Sequence, residues 1–227
     1  MARELGDVLH YFIPDDDASP PEPLLEPNPS PLAIVATPAG ESDVVRAAFV
    51  WNLAVEMARL GAAATVIAPG NEASESLWPQ PGRGALGTEF IPTFAPDLPT
   101  LASRALEVAM SRGAGCPSGG MVLVQVPPSW LDKAADGDPL LRRTLLFSGP
   151  EARELQETRS LARRLFFAAP GVRVGVTMHG VRSIDEARGA FDALVAALEP
   201  EFRPRLVSYG LLLDDLDVYR AIVNRRP

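Results

Sequence analysis

The sequence predicts an α/β protein with a mostly parallel, doubly wound sheet flanked by helices on both faces, preceded by an extended N-terminal tail. Short apolar runs such as VLVQV and VRVGV have the length and composition of strands buried on both faces. Helical patterns separate these runs, and such alternation is typical of crossover connections. Apolar residues make up 47% of the 227-residue chain, which suffices for one sizeable core.

From residue 33 onward, predicted strands and helices alternate along the chain. Ligands in sheets of this kind bind at the carboxyl ends of the strands. That edge is predicted to hold residues 37–46, 68–71, 127–130 and 179–182. We predict strands near residues 33–37, 63–67, 88–92, 121–126, 143–147, 172–178 and 205–211, and helices near 42–60, 99–112, 150–168, 183–198 and 214–224.

Residues 1–31 form a tail that differs in composition from the predicted domain at 32–227. Seven of the 23 prolines fall in segment 14–31, PDDDASPPEPLLEPNPSP, which favours extended polyproline-like conformations. Its acidic trio, 15–17, is typical of a solubilising run. An apolar patch precedes this linker, and two hypotheses stay open: it docks on a partner protein, or it folds back onto its own domain. The apolar patch consists of Val8, Leu9, Tyr11, Phe12 and Ile13.

The overall composition limits the classes of function. A net charge of −8 and a pI near 4.9 disfavour nucleic acid as a partner. The single cysteine, Cys116, allows no intrachain disulfide and fits a reducing compartment. No apolar run reaches the roughly 18 residues of a membrane span, and the N-terminus does not read as a secretory signal. We therefore expect a cytoplasmic protein without an integral membrane segment.

Residues 34–52, IVATPAGESDVVRAAFVWN, have the layout of a strand, turn and helix that grips a nucleotide phosphate. An apolar strand leads into a turn at 37–40. The helix that follows carries apolar residues at a spacing that predicts a buried face including Val44, Val45 and Phe49. A phosphate-binding loop needs glycines, a lysine and a hydroxyl at the helix start. After Gly40 this turn offers none of them in place.

These features resemble the MinD/ParA-type P-loop ATPases (deviant Walker A, SIMIBI class), and among them the subgroup of flagellar-number regulators. That family reads roughly KGGxGKTT, then NLA and a helix ending in RLG, and this chain has NLA at 52–54 and RLG at 59–61. The resemblance implies a P-loop NTPase-like fold with a degenerate Walker A loop. In chain order, a signature lysine, three glycines, the phosphate lysine and a magnesium-binding hydroxyl are replaced by Glu41, Ser42, Asp43, Val45, Arg46 and Ala47.

The resemblance continues through three later segments. Segment 121–130 is similar to the strand before the second switch, with Gln125 where an aspartate is expected. Segment 172–198 is similar to a late strand and helix, with His179 where a base-contacting asparagine is usual. Segment 206–227 looks like the closing strand and helix. Both named positions therefore depart from the family's pattern.

The loop substitutions predict weak or absent ATP binding and no hydrolysis. Val45 is β-branched and disfavours the positive φ angles that glycine allows. A carboxylate about 4 Å from a phosphate charge costs about 4 kcal/mol at an effective dielectric of about 20. Glu41 and Asp43 bring such charges, and Arg46 returns one attraction without restoring the cradle or the metal ligand. The acids also suit a helix N-terminus, where they can replace the phosphate, and Ser42 or Asp43 can cap the helix.

We interpret the chain as a non-catalytic MinD/ParA-like regulatory or scaffolding protein that needs no cofactor. The resemblance implies a protein partner, either a second copy or an active MinD/ParA relative, and a role in placing a bacterial division site, flagellum, chromosome or other assembly. Three alternatives stay open. The chain could be a working switch that binds ATP with magnesium through a non-standard loop, a small-molecule enzyme on the same sheet, or an α/β protein of another kind with an ordinary capped helix.

Three other motifs have plainer interpretations. Gly82-x-Gly84-x-x-Gly87 matches the dinucleotide fingerprint, but no strand precedes it and no helix follows, so we predict a flexible loop. Cys116 lacks a nearby base and is predicted to lie in a loop before a strand. The helix near 150–168 interleaves arginines with glutamates, which predicts a solvated face with ion pairs inside the helix.

Overall fold

The computed structural model describes residues 31–40, 43–70, 78–114, 119–134 and 137–213. Several predictions fall on residues outside these ranges. They are the tail with its apolar patch and linker, the loop residues Glu41 and Ser42, the position of Cys116 and the closing helix near 214–224.

The described strands form one mostly parallel sheet, which confirms the predicted fold class. The strand order is β3-β4-β2-β5-β1-β6-β7-β8. All adjacent pairs are parallel except β3 with β4. The strands are β1 (Ala33–Pro38), β2 (Ala63–Pro69), β3 (Gly82–Arg83), β4 (Glu89–Thr93), β5 (Gly120–Val126), β6 (Arg143–Ser148), β7 (Arg173–Val181) and β8 (Leu206–Leu213).

Side-chain caps explain where three of the helices begin. The carboxylates of Asp43 and Asp97 and the hydroxyl of Ser183 each accept the backbone N–H three residues ahead. Of the two predicted caps for the helix after β1, Asp43 is confirmed. The helices are α1 (Val44–Arg59), α2 (Leu98–Gly113), α3 (Pro128–Leu131), α4 (Ala152–Ala168) and α5 (Ile184–Ala196). Among the described residues, none of these helices is long and apolar enough to span a bilayer.

Helices pack on both faces of the sheet and enclose two apolar clusters. The first cluster joins α2, α4 and α5 to one face and includes Leu101, Leu165 and Leu194. The second joins α1 to the opposite face and includes Val50 and Phe147. Consecutive residues of a strand face opposite sides, so Leu146 and Phe147 of β6 lie in different clusters.

The strand register places the carboxyl ends of the central strands at a common edge. Pro38 at the end of β1 pairs with Val126 at the end of β5. Ser148 at the end of β6 pairs with Met178 of β7. The carboxyl end of β1, which leads toward α1, therefore lies beside the ends of β5 and β6, with β7 next to β6, as predicted for a ligand-binding edge of such a sheet.

The Gly82 to Gly87 segment contains a short strand and a turn, where the sequence predicted a loop. Gly82 and Arg83 form the short antiparallel strand β3 against β4. A single 3₁₀ turn follows at Ala85–Gly87. Gly82 and Gly87 have φ of 110° and 88°, angles that favour glycine. These glycines are therefore explained by the backbone of a compact turn.

Candidate functional site

The turn into α1 is held by a side chain of β5. The carbonyl of Gly40 accepts the backbone N–H of Asp43 at 3.1 Å. The same carbonyl accepts a hydrogen bond from Gln125 Nε2 at 3.2 Å. An ionised aspartate at position 125 would be an acceptor only and could not donate to this carbonyl. Gln125 therefore fastens the start of the turn to the sheet through an amide donor that a carboxylate at this position would lack.

Arg46, in the first turn of α1, is buried and bound on every side by groups of its own chain. Nη1 lies 2.8 Å from Asp43 Oδ2 and 2.9 Å from Glu157 Oε1. Nη2 lies 3.3 Å from Glu157 Oε2, and Nε donates to the carbonyl of Phe147 at 3.2 Å. Four of the five guanidinium N–H groups are engaged by these contacts. We call Asp43, Arg46, Phe147 and Glu157 the Arg46 cluster.

The Arg46 cluster joins both helix layers over the carboxyl edge of β6. Burial acts to lower the pKa of Arg46, but the hydrogen bond to Glu157 and the charge of Asp43 outweigh it, so the pKa is raised. The hydrogen bond from Arg46 lowers the pKa of the Glu157 carboxyl. Two carboxylates surround one guanidinium, so the cluster keeps one negative charge in excess. A further anion at Arg46 would meet both carboxylates at close range, with Arg153 as another cation acting on Glu157.

His179 forms a second contact beside the Arg46 cluster. Its ring packs on Phe49 of α1 with centroids 4.8 Å apart, and Phe49 stacks on Phe147 at 5.5 Å. Nε2 lies 3.4 Å from Glu154 Oε2, which also accepts the backbone N–H of Gly149 at 2.7 Å. The position expected to contact a base is thus occupied by a histidine engaged with α1 and α4.

We expect His179 to make stability fall as the solution is acidified from pH 7.5 to 5.5. Burial lowers the pKa of His179, and nearby Arg46 lowers it further against the opposing charge of Glu154. Above about pH 6.5 both the folded and the unfolded state hold it neutral; below that the unfolded state takes up the proton first. The free energy of unfolding therefore falls as the pH is lowered, by at most about 1.4 kcal/mol per pH unit. Urea denaturation at several pH values measures this slope.

The chain provides a matched control for that experiment, because it contains only two histidines. His179→Phe keeps an aromatic ring against Phe49 and should flatten the slope between pH 7.5 and 5.5. His10→Asn should keep the slope of the unaltered chain. Equal slopes in all three proteins would show that His179 is not the titrating group.

Two residues of the predicted degenerate loop, Val45 and Ala47, differ in their exposure to solvent. Val45 is 46% exposed, whereas Ala47 is 1% exposed and lies in the cluster between α1 and the sheet. The predicted buried face of α1 was wrong for Val44 and Val45, because both are exposed and Arg46 takes a place on the buried face instead. A pattern of apolar residues does not predict burial of an arginine, but Arg46 can be buried because its charge is paired with Asp43 and Glu157.

Phe147 and the role of Glu157 at this site were not predicted from the sequence. One signal was present: Arg46 is a cation in the first turn of a helix, where the macrodipole disfavours positive charge. Such a residue calls for acidic partners, but nothing in the sequence says that Glu157, 111 positions away, is one of them.

The ion pairs of α4 also differ from the prediction of pairs within that helix. Glu157 pairs with Arg46 of α1, and Glu154 faces His179 of β7. Arg163 lies 2.8 Å from Glu199, and Arg164 lies 2.6 Å from Asp132. Side chains of α4 therefore bridge to other elements, while within the helix the charge of Arg153 also acts on Glu157 four positions away.

Comparison with solved structures identifies the fold. A chain of the MinC:MinD cell division protein complex of Aquifex aeolicus superposes with a TM-score of 0.59 at 12% identity, over 86% of this chain and 87% of that one. The MinD cell division protein of the same organism gives 0.58 at 13%, over 86% and 88%. The chain has a MinD/ParA-type fold. A complex of a Cyanothece McdA variant with ATP matches more weakly, with a TM-score of 0.47 at 15% identity over 87% and 89%.

Sequence comparison adds no closer relative to this MinD/ParA-type fold. No protein-family model matches the chain, and no curated protein is recognisably similar in sequence. Structural similarity at these identities establishes the fold alone.

Proposed function

We propose that this protein is a non-catalytic MinD/ParA-like regulatory or scaffolding protein that acts through protein–protein contact. Its role would lie in the spatial organisation of a bacterial cell, and the sequence resemblance favours the subgroup of flagellar-number regulators. The observation that carries the proposal is the Arg46 cluster. The cation at the position of the phosphate lysine is already neutralised by carboxylates of its own chain.

Phosphate binding through Arg46 would require breaking contacts that the fold has already made. A triphosphate would have to displace Asp43 and Glu157 from the guanidinium while two carboxylates remained nearby. Each such carboxylate about 4 Å from a phosphate charge costs about 4 kcal/mol at an effective dielectric of about 20. Arg46 is already shared between two carboxylates, so nucleotide binding through this arginine is disfavoured.

The backbone donors at the start of α1 are also partly occupied. Asp43 Oδ1 accepts the backbone N–H of Arg46 at 3.0 Å. In a phosphate loop such N–H groups and the helix dipole hold the phosphate. Here a carboxylate of the chain takes the place of the anion, which is favourable by roughly 0.3–1 kcal/mol. The built-in anion favours a loop that stays closed without ligand.

A titration with ATP and Mg²⁺ tests the absence of a nucleotide cofactor. We expect isothermal titration calorimetry to show no saturable heat up to millimolar ATP, and no rise in Tm. Micromolar affinity would contradict the proposal and support the alternative, an ATP-dependent switch with a non-standard phosphate loop. Glu41→Lys should leave affinity nearly unchanged because the loop glycines are also absent, and Glu56→Lys on the exposed side of α1 is the matched control.

The partner of this protein would be a second copy or an active MinD/ParA relative in the cytoplasm. A heterodimer would let a chain without nucleotide influence the cycle of one that binds it. The candidate contact is the apolar patch at 8–13, outside the described residues.

Among the residues that the structure describes, no group of three potential metal ligands clusters together.

A further inference from the structure

One side of α4 forms an open groove that the Arg46 cluster does not use. Its volume is about 430 Å³. The lining residues recur three or four positions apart, so they lie along a single face of the helix. Phe167 at the far end is 63% exposed and meets Phe202 edge-on, with centroids 5.3 Å apart. The α4 groove is lined by Gln156, Arg159, Ser160, Arg163, Arg164 and Phe167.

The α4 groove concentrates positive charge on a protein of net charge −8. Arg163 and Arg164 are each paired once, with Glu199 on one side and Asp132 on the other. Arg159 has no ion pair among the described residues. Three guanidinium groups thus face two carboxylates, which leaves a cationic strip beside an exposed aromatic ring. Its complement is an extended segment that carries acidic side chains with apolar or proline residues between them.

Such a segment joins the domain on the same face of the sheet. The backbone N–H of Leu32 donates to the carbonyl of Ala109 in α2 at 3.1 Å. Leu32 is buried in the apolar cluster that also contains Leu165 of α4. The described chain therefore begins on the face of the sheet that carries α2 and α4. Segment 14–31 contains Asp15 to Asp17, Glu22, Leu24, Leu25 and Glu26 among its seven prolines.

The length of segment 14–31 is sufficient to follow the groove. A polyproline-like chain rises about 3.1 Å per residue, so the 18 residues span roughly 55 Å. The 17 residues of α4 rise about 1.5 Å each, or roughly 25 Å in all. Exposed ion pairs are individually weak. Tethering raises the effective concentration of this segment to about millimolar, which favours it over a free peptide of the same composition.

We propose that segment 14–31 of this chain lies in the α4 groove, with its carboxylates beside Arg159, Arg163 and Arg164 and its apolar side chains against Phe167. The docked linker holds the apolar patch at 8–13 close to the domain surface. The contact does not involve the carboxyl edge of the sheet, so it is independent of nucleotide binding.

Paramagnetic relaxation in the full-length chain tests this contact. A nitroxide is attached to Ser160→Cys in a Cys116→Ser background, and amide intensities are compared before and after reduction of the label. We expect the non-proline amides of residues 15–26 to lose at least half their intensity at low salt and to recover it in 1 M NaCl. Arg159→Gln should restore intensity at low salt, whereas Arg188→Gln on α5 should not. If Ser160→Cys fails to fold, Gln156→Cys carries the label.

Two outcomes would overturn the proposal. Intensities at 15–26 that are the same with active and reduced label would show that the segment does not lie at α4. Attenuation that also appears when ¹⁵N-labelled protein without nitroxide is mixed with unlabelled, spin-labelled protein would assign the contact to a second copy. Attenuation that is confined to the spin-labelled molecule and depends on Arg159 supports docking within one chain.

Discussion

Replacing Arg46 with methionine should lower the free energy of unfolding by about 2–3 kcal/mol at neutral pH. Methionine fills the space of the arginine stem but leaves Asp43 and Glu157 without their cation and the carbonyl of Phe147 without its donor. Breaking a buried ion pair from one side costs about 3–5 kcal/mol. We expect a loss below that general range because the Glu157 side chain is 52% exposed, so solvent screens part of the repulsion between the two carboxylates.

Arg59→Met on the same helix is the matched control for Arg46→Met. Arg59 pairs with Glu56 at 2.8 Å, but both side chains are more than half exposed. Removing that pair should cost at most about 1 kcal/mol. Urea denaturation with a shared m-value compares the two. Equal small losses would show that the Arg46 cluster contributes no more than a surface ion pair.

The carboxylates can be tested separately from the arginine. In the Arg46→Met background, Glu157→Gln should recover part of the lost stability because it removes the charge that repels Asp43. In the unaltered chain the same Glu157→Gln substitution should destabilise the protein, because the hydrogen bond from Arg46 keeps the pKa of Glu157 low. The Glu157 contribution to stability is full above its unfolded pKa and is lost as the pH falls below about 4.5.

The sequence predicted the fold because strand and helix patterns are local. The described strand and helix bounds lie within a few residues of the predicted ones, since each apolar run carries its own period. The short strand β3 was missed because two residues carry no period. It is recognisable only from its pairing with Glu89 and Phe90 of β4.

The candidate site was only half predictable, because its contacts join distant parts of the chain. The position of Arg46 at a helix start followed from the local pattern, and so did capping by Asp43. Its second carboxylate comes from α4, and the carbonyl it binds comes from β6. Apolar repeats also cannot reveal that a charged residue is buried, because a paired guanidinium and an exposed one look alike in sequence. Both the distant partners of Arg46 and its burial depend on tertiary packing.

Replacing Phe49 with alanine should cost about 3 kcal/mol of unfolding free energy, an effect as large as that at Arg46. The Phe49 ring is 9% exposed and lies between Phe147 and His179, so its loss opens a cavity at the junction of α1, β6 and β7. Truncation of a buried phenylalanine costs about 3–5 kcal/mol. The lower end applies because the cavity lies at the edge of the sheet, where neighbouring side chains can relax.

A second measurement separates packing from a purely local effect of Phe49. Burial is the main cause that lowers the pKa of His179, and Phe49 covers one side of its ring. Phe49→Ala should therefore raise the pKa of His179 toward its ordinary value, as followed by NMR titration of the imidazole. Phe94→Ala removes a ring that is 87% exposed and should change neither stability by more than about 0.5 kcal/mol nor that pKa. A large loss of stability with an unchanged His179 pKa would mean that Phe49 supports the core without shielding the carboxyl edge from water.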